Sequence, residues 1–108
     1  MANTFKLKTK ANVGVTTSDV YVVPSATTTV VIGVTLANTT GSNINVGVGI
    51  TRASTDDVKL MKNVPIPQGS SFEFMGGNKI VLETTDILTV KSDVNNSLDV
   101  ALTIMEIT

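Results

Sequence analysis

Residues 43–51, Asn-Ile-Asn-Val-Gly-Val-Gly-Ile-Thr, alternate strictly. Ile44, Val46, Val48 and Ile50 fall on one parity, and Asn45, Gly47, Gly49 and Thr51 on the other. A helix turns ~100° per residue and scatters four such side chains, whereas an extended strand places them on one face. The segment predicts a strand with one apolar side and one small or polar side, as in antiparallel sheets with a single buried face. The pattern recurs. Val30, Ile32, Val34 and Leu36 alternate within Thr28–Leu36, with Val31, Gly33 and Thr35 opposite. Leu98, Val100, Leu102 and Ile104 alternate with Asp99, Ala101, Thr103 and Met105. The expected core is therefore Val30, Ile32, Val34, Leu36, Ile44, Val46, Val48, Ile50, Val100, Leu102 and Ile104.

Shorter segments fill in the rest. Phe5 and Leu7 alternate with Lys6 and Lys8 in a short strand or arm, and Ala11–Ser18 reads as a connection. Asp19–Val23 is a strand stopped by Pro24, which cannot donate to a ladder. Asn38-Thr39-Thr40-Gly41-Ser42 is a turn cluster expected to close a hairpin between Thr28–Leu36 and residues 43–51. Val58–Met61 is the next strand. Pro65 and Pro67, one residue apart, favour an extended polyproline-like crossing and exclude a central strand. Phe72 and Phe74 alternate with Ser71 and Glu73 ahead of a Gly76-Gly77-Asn78 turn. Lys79–Glu83 and Ile87–Lys91 are expected to pair across Thr84-Thr85-Asp86.

Eight or nine short strands with no helical period predict an all-β, antiparallel β-sandwich of jelly-roll-like form. Two sheets face to face bury the apolar sides that one long sheet would leave in water. The expected division is an N-terminal arm and connection over residues 1–18 and a sandwich over 19–108.

Composition narrows the function more than the fold. The 108 residues suffice for one domain, and 42% apolar content suffices for its core. Val, Thr and Ile supply more than a third of the chain and suit a pleated surface. Only 16% of residues are charged and the net charge is −1, so the basic face of a nucleic-acid binder is not expected. A low-charge, Thr-rich surface is poorly defended against association and suits a protein covered by neighbours. The start, Met-Ala-Asn-Thr-Phe-Lys-Leu-Lys, lacks the apolar run of a signal peptide, and no stretch approaches the ~18 apolar residues of a membrane helix. Folding in a cytoplasm, with no membrane partner, is the expectation.

Candidate chemistry is sparse. The chain has neither His nor Cys, so thiolate metal sites, disulfides and the commonest acid–base and nucleophilic groups are excluded. Asp56-Asp57, beside Ser54 and Thr55, reads as half a calcium site or, preferably, as a solvated turn. Glu73 and Glu83 could be paired carboxylates but read better as outward strand positions. Gly76-Gly77-Asn78-Lys79 lacks the ending of a phosphate loop and reads as a turn. Lys6, Lys8 and Lys10 form a basic stripe that could meet an acidic partner or discourage unwanted edge pairing. There is no Trp, and Tyr21 stands alone beside three Phe, which leaves a lectin poorly equipped. No catalytic, cofactor or metal residue is expected, and no enzyme.

From Val20-Tyr21-Val22-Val23-Pro24 through Thr28-Thr29-Val30-Val31-Ile32-Gly33 to Leu36-Ala37-Asn38-Thr39-Thr40, the chain resembles small virion structural proteins of tailed bacteriophages, cyanophages included. Lys62–Ser71 and Lys79–Val90 continue the resemblance, which covers about residues 19–107 and rests on turns and strands. The family pattern often carries Gly where this chain has Thr85, which bears on whether that turn takes a positive φ. The resemblance implies a non-enzymatic assembly component of the phage particle, with capsid decoration ahead of neck or tail. It implies location in the virion and contacts with the major capsid protein. A carbohydrate- or surface-binding module on a tail fibre is the alternative. Low charge and open sheet edges add an expectation of self-association, as a closed trimer.

Overall fold

The computed structural model describes residues 2–52, 56–74 and 79–108. Nine strands follow one another: β1 (Asn3–Val13), β2 (Ser18–Val22), β3 (Thr28–Asn38), β4 (Ile44–Thr51), β5 (Val58–Ile66), β6 (Ser71–Phe74), β7 (Ile80–Leu82), β8 (Ile87–Ser92) and β9 (Leu98–Ile107). They form two antiparallel sheets packed as a sandwich. One has the order β1-β9-β3-β6, with β7 also on β3; the other has the order β2-β8-β4-β5. The all-β sandwich that the alternation predicts is present, with nine strands and jelly-roll strand order.

Between the sheets lie Ile44, Val46, Val48 and Ile50 from β4, Leu88 and Val90 from β8, and Leu98, Val100, Leu102 and Ile104 from β9, all buried. From β3 come Val31, Val34 and Leu36. Here the expected core needs correction. Val30 and Ile32 are only half-buried, and Val31 is fully buried in their place. The pairing of β3 with β9 shifts between Val31 and Gly33. One extra residue in a strand reverses the side to which its successors point. Position 31 therefore shares a face with 34 and 36, although simple alternation puts it on the other.

Local turn chemistry also misassigns partners. Residues 38–42 do not close a hairpin, because β3 and β4 lie in different sheets. Asn38 is buried at the crossing. Its side-chain amide donates to the carbonyls of Ser42 (2.7 Å) and Ile66 (3.0 Å), and its side-chain oxygen accepts from the Thr40 N–H (2.9 Å). Those bonds carry the chain from one layer to the other. Likewise β7 pairs β3 while β8 pairs β2 and β4, so Thr84-Thr85-Asp86 is a crossover and not a hairpin turn. It is pinned to the end of β2 by Val23 N–H to Asp86 O (2.9 Å) and Thr85 N–H to Val23 O (3.1 Å). Thr85 does take a positive φ, 73°. The strand beginning at Val58 runs on through Pro65 to Ile66, at the outer edge of its sheet, where a missing N–H is tolerated. The expected turn at 76–78 lies outside the described residues.

Candidate interaction surfaces

The first strand has inverted polarity. On β1, Lys6, Lys8 and Lys10 pair with Ile104, Leu102 and Val100 of β9, so they sit on the inward side of an edge strand. Phe5 and Leu7 take the outward side, 69% and 65% exposed. Inward-pointing charge is one of the ways an edge strand is kept from open-ended pairing. Only Val13 of β1 joins the apolar core.

The lysines meet a buried polar cluster. Glu106 of β9 lies opposite Thr4 on one side and Thr29 on the other. Lys6 Nζ reaches its Oε1 at 2.8 Å. The Tyr21 hydroxyl, from β2 in the other sheet, donates to its Oε2 at 2.5 Å. Thr29 Oγ1 lies 2.8 Å from the same tyrosine oxygen; with the phenolic proton committed to Glu106, Thr29 is the donor. Lys8 Nζ sits 5.9 Å from the Tyr21 ring centroid, within cation–π range. The Lys6 hydrogen bond, then that of Tyr21, hold the Glu106 carboxyl below its ordinary 4.5 despite burial. Burial, then Glu106, pushes Tyr21 up to about 12. The cluster ties both sheets together but offers no reactive group to solvent. Tyr21 is an inter-sheet strut, not an exposed platform for a sugar.

The outward side of the five-stranded sheet is apolar at one end. Phe5 pairs with Met105, Met105 with Val30, and Val30 with Val81, so one cross-strand row crosses four of the five strands, β1, β9, β3 and β7. Leu7 and Ile107 flank it two residues along. Val81 is 57% exposed at one end of the row, as Phe5 is at the other, and Met105 and Val30 between them are half-buried. Sequence patterning could not find it, because its members belong to four strands joined by long connections.

The remaining sequence candidates do not converge. Asp56 and Asp57 are exposed just before β5. Among the described residues no group of three metal-ligating side chains comes together. Glu73 lies on β6 opposite Thr35, whereas Glu83 follows β7 and is held by Arg52. Arg52 also donates through Nε to the buried Asp86 Oδ1 (3.1 Å), and Asp86 Oδ2 accepts the Glu83 N–H (2.9 Å). Hydrogen bonds to Asp86 and then Glu83 raise the already high pKa of Arg52. This cluster closes the crossover after β7. Gly76, Gly77 and Asn78 lie outside the described residues.

No family model and no curated protein sequence matches the chain. A solved structure does: a subunit of Bacillus endospore appendages, described as a novel family of disulfide-linked pili. The likeness has a TM-score of 0.60 at 12% identity and covers 99% of this chain and 87% of that one. At that identity it establishes a shared fold. It also corrects the virion resemblance, since the matching jelly roll builds a pilus and not a phage particle. Capsid decoration, neck or tail placement, capsid-protein partners and a virion location are withdrawn with it. Strand spacing and turn residues, which carried that resemblance, are common to many jelly rolls. One difference from the appendage subunit is plain: these 108 residues contain no cysteine.

Proposed function

We propose that this chain is the non-enzymatic subunit of a self-assembling extracellular surface fibre, with no cofactor. The observation that carries the reading is the apolar row Phe5–Met105–Val30–Val81, exposed at both ends, on a sandwich whose fold is similar to a pilus subunit. An exposed apolar patch on a small domain marks a contact site, and the occupant here is a second copy of the chain. The closed trimer expected from composition would stop growth. A head-to-tail contact between unlike surfaces continues into a filament, and that is the arrangement proposed. Without cysteine, the contacts along such a filament are non-covalent.

Residues 1–18 act in this proposal as an arm on a sandwich formed by 19–108. β1 contributes little to the core, and removing its lysines together with the strand returns Glu106 to solvent instead of stranding its charge. Its outward Phe5 and Leu7 are then contact residues for a neighbour.

Concentrating the purified chain and imaging it by negative-stain electron microscopy tests the reading. Filaments that persist in reductant are expected. A single species at the 11.3 kDa monomer mass at high concentration overturns it. Phe5→Ser with Val81→Ser should suppress filaments with an unchanged melting temperature, since exposed substitutions shift stability by about 0.5 kcal/mol or less.

A further inference from the structure

Most of β1 lies on the sandwich without entering it. From Ala2 to Asn12 no residue is buried, and only Lys8 is half-buried. The strand is held by a backbone ladder to β9, in register from Asn3 opposite Ile107 to Lys10 opposite Val100, and by the Lys6 bond to Glu106. Its root is fixed in another way. Val13 is in the core, its carbonyl accepts from the Ser97 N–H (3.1 Å), and the Gly14 carbonyl accepts from the Ser92 N–H (3.0 Å). Between arm and root the pairing shifts, and Asn12 takes a φ of 58°. The irregularity is a ready pivot, because residues 2–10 can leave β9 there without drawing any side chain of their own out of the core.

The place they leave is specific. β9 becomes an open edge with unpaired N–H and C=O groups. Beside that edge, Glu106 and the Tyr21 ring face the positions that Lys6 and Lys8 had filled. A strand that fits must run antiparallel to β9 and carry two cations, two residues apart, on its inward side. β1 of a second copy meets that description. Its reach also suffices. Nine extended residues at about 3.3 Å each span about 30 Å, more than the two shorter dimensions of the subunit, 26 and 22 Å. An arm swung out at Asn12 therefore extends past its own body. A fibre needs such a contact, because a row of four apolar side chains is small against the roughly 1,000 Å² of a specific interface.

We infer that β1 is exchanged between copies: residues 2–10 of one subunit lie along β9 of the next, where the arriving Lys6 and Lys8 complete the Glu106–Tyr21 cluster. The inference deepens the fibre reading and rests on it. Passed onward from each copy to the next, the exchange builds an open chain, whereas a reciprocal exchange would close a pair. Every contact of the strand is kept in the exchange, so concentration decides between the copy that supplies it and its own body. Glu106 lies on β9 and Tyr21 on β2, so one arriving lysine pair engages both sheets of its host. This gives a non-covalent joint between subunits in a chain without cysteine.

The lack of cysteine also makes disulfide trapping clean. Thr9 and Ala101 lie opposite each other on the outward side of β1 and β9. Thr9→Cys with Ala101→Cys brings two thiols within bonding range whichever copy supplies the strand. The double variant is concentrated until filaments form, oxidised, and run in SDS without reductant. A ladder of covalent species at multiples of 11.3 kDa is expected, collapsing to monomer on reduction. Each single variant, as control, should give nothing larger than a dimer. Leu7→Cys with Thr103→Cys, also paired across β1 and β9, gives the same reading if circular dichroism shows the first variant misfolded. Disulfides confined to monomers in a sample that contains filaments overturn the exchange and leave the fibre reading standing. A covalent dimer that grows no further overturns it too, because reciprocal exchange has closed the pair. Absence of any assembly overturns both.

Discussion

The reversal of side within β3 makes two neighbouring residues a sharp test. Alternation along the sequence puts Ile32 in the core and Val31 outside, whereas the shift between Val31 and Gly33 does the opposite. Val31 is 1% exposed and Ile32 half-buried. Val31→Ala removes two buried carbons, about 1.6 kcal/mol at about 0.8 kcal/mol each, and a cavity in the central strand brings the loss to about 2–3 kcal/mol. Ile32→Ala removes more carbon but from a half-solvated position, so about 1 kcal/mol is expected. In urea, with a slope of about 1.5 kcal/mol/M, the midpoint should fall by about 1.5 M for Val31→Ala and about 0.7 M for Ile32→Ala. Equal slopes are required for the comparison. An Ile32→Ala loss matching or exceeding that of Val31→Ala would refute the bulge as the cause and restore the simple alternation.

Leu102→Ala, in the middle of β9 and fully buried, should cost about 2–5 kcal/mol by urea midpoint; no change would put β9 outside the core. Thr85 is β-branched and left-handed, so Thr85→Gly should stabilise by about 1 kcal/mol and raise the melting temperature by about 5 °C; a lower melting temperature would show that the turn is unstrained. Glu106→Gln should cost about 1–2 kcal/mol at neutral pH. The Glu106 pKa is depressed in the folded state, so its contribution is present above the unfolded value and fades as pH falls through the folded one. The gap in urea midpoint between native chain and variant should therefore narrow below about pH 4.5, and a constant gap would show that the carboxylate charge is not what stabilises. Deleting residues 1–10 should leave a folded sandwich that no longer forms filaments; an unfolded product, or undiminished filaments, would sink the arm proposal.

Periodicity is a property of single strands, and single strands are what it revealed. Ile44–Ile50 and Leu98–Ile104 are read correctly because neither carries an extra residue of its own, the shifts against β5 and β3 falling on those partners, so parity along the chain equals side of the sheet. The same argument failed at Val30–Ile32, where a residue without a partner shifts parity and leaves no compositional trace beyond Gly33. Pro65 excluded a central strand correctly, because the missing N–H is a local fact, but β5 runs through it at the sheet edge where a polyproline-like crossing was expected. The β1 lysines were legible as a stripe on a strand, but which way the stripe faces depends on β9, some ninety residues later.

Alternation, β-branched composition and the absence of His and Cys were enough by themselves to determine an all-β sandwich without the usual catalytic groups, since each follows from residue type and local spacing. Tertiary structure alone decided the partners. Turn residues at 38–42 and 84–86 allow the chain to reverse, but whether it returns beside the same strand or crosses to the other sheet is set by distant bonds, such as Asn38 to Ile66 and Asp86 to Val23. The apolar row arises in the same way. Its members are dispersed along the chain and become neighbours only because jelly-roll pairing joins strands remote in sequence, a long-range choice that no local pattern encodes.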